Sequence, residues 1–357
     1  MIEADVLIVG AGVLGVSLGY HLGKMGYSVL ILEREISYAH HSSGKNAGMM
    51  RQLYRHPQLT EWTKRSIASW PKEAKDIAFR QEGSLVVGRK LPHHHDELFE
   101  ERQVEIIVEG EMRKVPAIYC QTDGLLDPSD HISALYQLTD RQKVKYHFST
   151  KVTSIIKDDE NWRIEALSGG KEVLFSATWC VNAAGAWVND FLSKDAPKPI
   201  ASMPYARHLF VIEGWEEHFM PEKGVGFYWE ELRHWYMRLW DKERRLLSIC
   251  DQTPTTPETF VPESNLDERV AEQLLDALPK EAEQLRLGRS WFCFRTYTED
   301  RLPVWGEDPE YPKFFWLAAF GGFGMSTSFA ATEDAALFIA GKQVKISEEF
   351  LPNRVQK

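Results

Sequence analysis

The N-terminal third of the chain alternates apolar runs with helical spacing, and glycines mark the joins. Ala4-Asp5-Val6-Leu7-Ile8-Val9 is a short β-branched and apolar run, the pattern of a strand buried in a parallel sheet. Gly10-Ala11-Gly12-Val13-Leu14-Gly15 follows at once. Val16, Leu18, Tyr20 and Leu22 then predict a helix that stops near Gly26, and Ser28 to Leu32 predicts a second strand ending on Glu33. Farther on, Lys151 to Ile156 alternates as a strand, and Trp162–Ala166 pairs with Glu172–Phe175 across Ser168-Gly169-Gly170 as a hairpin. Four aromatic-rich runs, 209–212, 225–229, 235–240 and 246–249, also read as strands. Residues 265–287 have helical spacing through Val270, Leu274, Leu275 and Leu278, with Asn265 as N-cap, and Pro279 splits the stretch into two helices. No repeat or low-complexity segment breaks this order; the Thr- and Pro-rich 254–262 is its weakest stretch.

Composition narrows the classes. With 357 residues and 43% hydrophobic content, the chain can bury a large core and form more than one domain. A net charge of −10 points away from nucleic acid as a partner. The four cysteines, at 120, 180, 250 and 293, form no CxxC pair, so neither a disulfide framework nor a zinc site is expected, and a reducing cytoplasm is the natural location. Val6 to Leu22 is not a signal segment, because Glu3 and Asp5 stand where such a segment carries positive charge and glycines interrupt it. Without eighteen uninterrupted apolar residues anywhere, no membrane span is expected.

Strand, G-x-G-x-x-G, helix, strand and acid in that order are the context a dinucleotide site requires. Gly10 permits a tight turn, Gly12 lets the backbone approach a pyrophosphate, and Gly15 lets helix and strand pack closely. Val13 and Leu14 open the helix, whose free N–H groups and dipole face phosphate charge. Glu33 can accept hydrogen bonds from ribose hydroxyls; it also repels the 2′-phosphate of NADP, although Arg34 stands beside it. This unit alone does not choose between dinucleotides.

The next segment does. Ser42-Ser43-Gly44-Lys45-Asn46-Ala47-Gly48-Met49-Met50 is a small polar loop able to wrap a phosphate and lie against a planar ring. It resembles the flavin-contacting loop of the D-amino acid oxidase superfamily, which includes glycine and sarcosine oxidases and D-amino acid dehydrogenases. Three further stretches carry the resemblance: Asp123-Gly124-Leu125-Leu126-Asp127-Pro128, Val181-Asn182-Ala183-Ala184-Gly185-Ala186-Trp187, and the pair Phe294–Gly306 and Phe314–Ser326. They occur in the family's order from residue 4 to about 340.

The resemblance implies an α/β fold with a discontinuous Rossmann-type FAD-binding domain, residues 1–83, 146–199 and 294–357. An antiparallel-sheet α+β substrate domain would take 84–145 and 200–293. It implies that Ser42, Ser43, Lys45, Asn46, Ala47, Gly48, Met49, Ala183, Ala184, Gly185, Trp187, Gly322, Phe323, Gly324, Met325 and Ser326 approach FAD, with Val152 against its adenine. Backbone N–H groups in Gly321-Gly322-Phe323-Gly324 can also stabilise negative charge on a reduced flavin.

For the substrate, the resemblance places Arg295 against a carboxylate, which a guanidinium's parallel donors fit; a salt bridge to Asp300 or Glu299 is the structural alternative. Tyr228 matches a position where relatives turn a phenol to the substrate, with core packing as the alternative; Arg207, His208 and Arg238 are further pocket candidates. Relatives with covalent flavin carry a cysteine near position 295. This chain has Arg there and Cys293 two residues away as a core residue, so FAD is expected to be non-covalent. The His that some relatives carry at position 49 is Met here. His93-His94-His95 is read as a solvated segment rather than a metal site.

These readings converge on an oxidoreductase that moves hydride from the α-carbon of an amino acid or related amine to flavin N5. The imine then hydrolyses to an oxo acid, and oxygen or another acceptor takes the electrons. The alternatives are a 2-hydroxy acid dehydrogenase, a tRNA-modifying flavoprotein, and a non-catalytic flavin-binding protein.

Overall fold

The computed structural model describes residues 1–91, 97–193, 195–216 and 224–356. His93, His94 and His95 lie outside the described residues. Two large sheets organise the chain. The first has strand order 150–158, 161–168, 171–182, 2–9, 29–32, 144–147, with 314–318 beside the end of 171–182 and 304–307 beyond it. Ile2–Val9 runs parallel to both Lys171–Asn182 and Val29–Leu32, and Val29–Leu32 runs parallel to Val144–His147. The hairpin of 161–168 with 171–182 forms as expected, with Ala166 opposite Val173.

Alternation along these strands separates two apolar layers. Val6, Ile8, Val29, Ile31 and Val181 face one layer, with helices Val13–Lys24, Pro57–Ser69, Pro128–Leu138 and Gly324–Ile339. Leu7, Val9, Leu30, Leu32 and Cys180 face the other, which Val152, Ile155, Trp162 and Phe175 of the antiparallel meander close. Both faces of the parallel strands are therefore covered, which is why their sequences are continuously apolar.

The second sheet runs 253–254, 202–213, 244–248, 235–239, 227–230, 84–87, 111–120, 99–108, with 286–298 on the other side of 202–213. It is antiparallel except at one pair, Phe227–Glu230 with Ser84–Val87. Those two strands come from separate sections of the chain, so no hairpin dictates their direction.

Three expectations shift. Helix Pro128–Leu138 and strand Val144–His147 belong to the first layer, because Ile132, Leu135 and Val144 bury in its core. Section 84–145 therefore divides, its first part joining the second sheet. Strand Arg286–Thr298 pairs along its length with 202–213, which puts Arg295 on the second sheet rather than beyond a boundary at 293. After Pro279 the expected second helix is one short turn, Ala282–Gln284, before that strand begins, whereas helix Leu266–Ala277 starts at Asn265 as expected.

Candidate active site

A groove opens at the carboxyl ends of the first two parallel strands. Gly10, Gly12, Val13, Leu14, Glu33, Arg34, Ser42, Ser43, Val152, Ala183, Ala184, Gly185 and Trp187 all line it. Its floor is backbone. Gly10 has φ +103°, and a Cβ there would stand 2.6 Å from the Ala183 carbonyl oxygen; one at Gly15 would stand 1.9 Å from that of Gly10. Both glycines thus let backbone segments pack closely, and Gly10 and Gly12 leave the groove's wall free of side chains. The Val13 N–H, at the helix start, donates to Ser43 Oγ at 3.0 Å, which brings the polar loop to the same helix terminus. Glu33 Oε2 accepts the Ala11 N–H at 2.8 Å and Oε1 the Glu35 N–H at 3.0 Å. Each oxygen keeps a lone pair for a ribose hydroxyl.

The groove's outer edge is aromatic and charged. The Arg34 guanidinium lies over the Trp187 ring at 4.4 Å, and the Trp187 Nε1–H donates to Glu258. His41 stacks near Trp187 with ring centroids 4.4 Å apart and contacts Glu35 Oε1 at 2.8 Å. Burial lowers the pKa of His41 despite that carboxylate.

The polar loop then leads from the groove to a second cavity of about 710 Å³. Asn46, Ala47 and Met49 line it from the loop, Gly322 and Phe323 from the turn before helix Gly324–Ile339, and Arg295 from the second sheet. Three bonds tie loop and second sheet together. The Trp291 Nε1–H donates to the Lys45 carbonyl at 3.0 Å, the Phe294 N–H to Ser42 Oγ at 3.1 Å, and Arg238 Nη1 to the Ala47 carbonyl at 2.5 Å. Arg238 is therefore a strut under the loop rather than a pocket residue. Burial brings its pKa down to about 10.

Arg295 makes no ion pair with Asp300 or Glu299 among the described residues; Asp300 is held by Arg354 at 2.7 Å. Arg295 Nη2 donates to the Tyr236 hydroxyl at 3.2 Å, and its Nε is buried without a partner. A Cβ on Gly322 would stand 3.1 Å from Arg295 Nη1, so guanidinium and glycine turn face each other closely. Arg207 also lines the cavity. Its Nε donates to the Asp251 carbonyl at 2.6 Å, while Nη1 is buried and unpartnered. His208 is instead hydrogen-bonded through Nδ1 to Asp251 at 2.6 Å; burial pushes the Asp251 carboxyl up, but hydrogen bonds from His208 and the charge of Arg207 keep it below its ordinary range.

Tyr228 is a correction. Phe227 and Trp229 line the cavity, but Tyr228 points to the opposite face of the sheet and packs in an apolar cluster, edge-on to Trp235 with centroids 6.1 Å apart. Burial raises its phenol pKa well above the ordinary value. Gly15, Lys45, Gly48, Gly324, Met325 and Ser326 line neither cavity. Gly48 has φ +65° and is pressed against the Leu126 carbonyl, Met325 is in the core, and the Ser326 hydroxyl meets the Tyr54 hydroxyl at 2.8 Å.

Sequence reasoning missed Arg51, Tyr54 and Arg89, all of which line the cavity. Arg51 lies two positions after Met49 across the short strand Met49–Met50, so strand parity was the signal that could have found it.

Glycine cradle, helix terminus, clamped acid and glycine turn define the class: a nucleotide-binding oxidoreductase with its reaction chamber between two sheets. The comparisons agree. Residues 5–336 match the family described as DAO, FAD dependent oxidoreductase, and the chain belongs to that family. The groove's backbone floor suits the cofactor this family uses. An opine oxidase polypeptide of Rhizobium meliloti, one of that enzyme's subunits, is 23% identical over 365 residues, 92% of each chain. Glycine oxidase from Geobacillus kaustophilus has the same fold at a TM-score of 0.81, with 18% identity and full coverage of both chains. L-proline dehydrogenase from P. horikoshii also gives 0.81, with 19% identity, 99% of this chain and 98% of the other. The chain is thus an FAD-dependent oxidoreductase. No helix among the described residues is long and apolar enough to cross a membrane.

Proposed function

We propose that the protein oxidises the Cα–N bond of an amino acid or related amine, giving an imine that hydrolyses to an oxo acid. The carrying observation is the Arg295 guanidinium, which faces the Gly322 turn in a cavity, has no carboxylate of its own, and keeps a buried donor unpaired. A guanidinium so placed fits a substrate carboxylate and fixes the neighbouring α-carbon. FAD supplies the two-electron acceptor for the hydride that leaves that carbon. Gly10, Gly12, Ser43, Glu33 and Val152 would hold its nucleotide half, and the 46–49 loop with the 322–323 turn its ring. Cys293 is buried in an apolar cluster, its thiol pKa raised by burial, which favours FAD held without a covalent bond.

The arginines lining the chamber also act on the amine. Positive neighbours disfavour an ammonium and so favour the neutral amine from which hydride leaves. No side-chain base is then required.

One anaerobic experiment tests the reading. The flavin absorbance of the purified protein is followed while D- and L-amino acids, N-methyl amino acids and 2-hydroxy acids are added. Bleaching by an amine is expected, and readmitted air then separates oxygen from another electron acceptor. Bleaching by hydroxy acids alone would overturn the amine assignment.

A further inference from the structure

The chamber carries more positive charge than a single carboxylate calls for. Six guanidiniums, from Arg51, Arg55, Arg89, Arg207, Arg295 and Arg301, line it with two carboxylates, Glu231 and Asp300. Both acids are engaged: Asp300 pairs with Arg354 at 2.7 Å, and Glu231 stands 3.5 Å from Arg89.

Two groups of arginines emerge. In the paired strands 202–213 and 286–298, Arg207 lies opposite Cys293 and Tyr205 opposite Arg295. Arg207 and Arg295 are therefore diagonal neighbours on one sheet face. Each has a buried guanidinium nitrogen without a partner, and Arg207 is only 2% exposed. Leaving such donors unpaired is costly, so they mark a place for an anion.

The second group sits on other elements. The Arg51 guanidinium lies over the Trp229 ring at 4.7 Å and the Tyr54 ring at 5.1 Å, and no carboxylate of the described residues pairs with it. Arg89 follows strand Ser84–Val87. Burial lowers its pKa, and the charges of Arg51 and Arg55 lower it further against the pull of Glu231. Arg51, Arg55 and Arg89 line the same cavity with Glu231, 3.5 Å from Arg89, as the carboxylate neighbour among them, and an anion between like charges stabilises them. Tyr54, under the Arg51 guanidinium, lines the same cavity as Arg295.

We propose that the substrate is an amine bearing two carboxylates, one held by Arg295 and Arg207 and the other by Arg51 and Arg89. This rests on the amine-oxidoreductase reading for the reaction, but the second carboxylate site stands on its own geometry.

The test uses ligands that cannot react. Glutarate and pentanoate have five carbons each and no amine, and differ in carrying two carboxylates or one. Their dissociation constants for the FAD-loaded protein are measured by flavin spectral perturbation and by calorimetry. Glutarate is expected to bind at least tenfold tighter, with the advantage shrinking as salt rises. In Arg51→Gln and Arg89→Gln the glutarate-to-pentanoate affinity ratio should fall about tenfold, whereas Arg295→Gln should weaken both ligands. Equal affinities in the unaltered protein, or an unchanged ratio in both variants, would overturn the proposal. If glutarate binds selectively but no amine bleaches the flavin, the reaction assignment fails while the dicarboxylate site stands.

Discussion

The nucleotide groove and the arginine-lined chamber lie at opposite ends of one polar loop, and they are made differently. The groove is made of backbone. Glycines at 10 and 12 remove side chains from its wall, Gly15 lets the helix pack against the Gly10 turn, a helix terminus presents N–H groups, and one acid is clamped by two amides. The chamber is made of side chains from at least four separated segments, around Arg51, Arg89, Arg207 and Arg295. A backbone site depends on local dihedral angles and close approach, so it needs a short contiguous motif. A side-chain site needs only that the fold bring its members together, and it leaves no contiguous trace.

That contrast sets the expected outcomes of substitution. Gly15→Ala has the largest effect, because its Cβ would overlap backbone that cannot move aside. We expect colourless protein and a loss above ~4 kcal/mol, read by flavin absorbance and urea unfolding. In the chamber, Arg295→Gln should retain FAD while kcat/KM falls about a thousandfold, roughly 4 kcal/mol. Joint loss of colour and activity there would mean that the two ends are not separable.

Acid should act on the groove's layer. Burial holds the His131 pKa down to about 4, with neither ring nitrogen bonded, on helix Pro128–Leu138 against the Trp70 ring. The unfolded chain binds that proton near the ordinary value of about 6.5. Its contribution is therefore full above pH 6.5 and is lost as pH falls towards 4, up to about 3 kcal/mol. Urea midpoints across this range should flatten in His131→Leu. The smallest effect is expected for Tyr228→Phe, on the far face of the chamber sheet. Steady-state constants should stay within about twofold, and a hundredfold loss would return the phenol to the reaction.

The sequence made the first layer legible because its strands are buried on both faces and its turns need glycine. Ala183 to Trp187, far along the chain, reach the same groove as Gly10, and the small side chains of 183–186 gave the clue. The second sheet was legible as strands but not as faces. Tyr228 fell to the wrong side because the side-chain period is two, and one position separates chamber from core. Arg51 and Arg89 stand in no motif, and only tertiary pairing brings them to Arg207 and Arg295. Helix Pro128–Leu138 crossed an expected boundary because its periodic face does not say which sheet will cover it.

The bonds from Trp291, Phe294 and Arg238 to the 42–47 loop bear on how pockets could be exchanged among flavoproteins. The smallest transferable module is larger than the inserted sheet. A graft that carried the sheet but left its host's own loop would keep the ties only where that loop set two carbonyls and a hydroxyl at the same places. Loop and sheet are in effect one part, and a change of specificity made by altering side chains on that part leaves its seams intact.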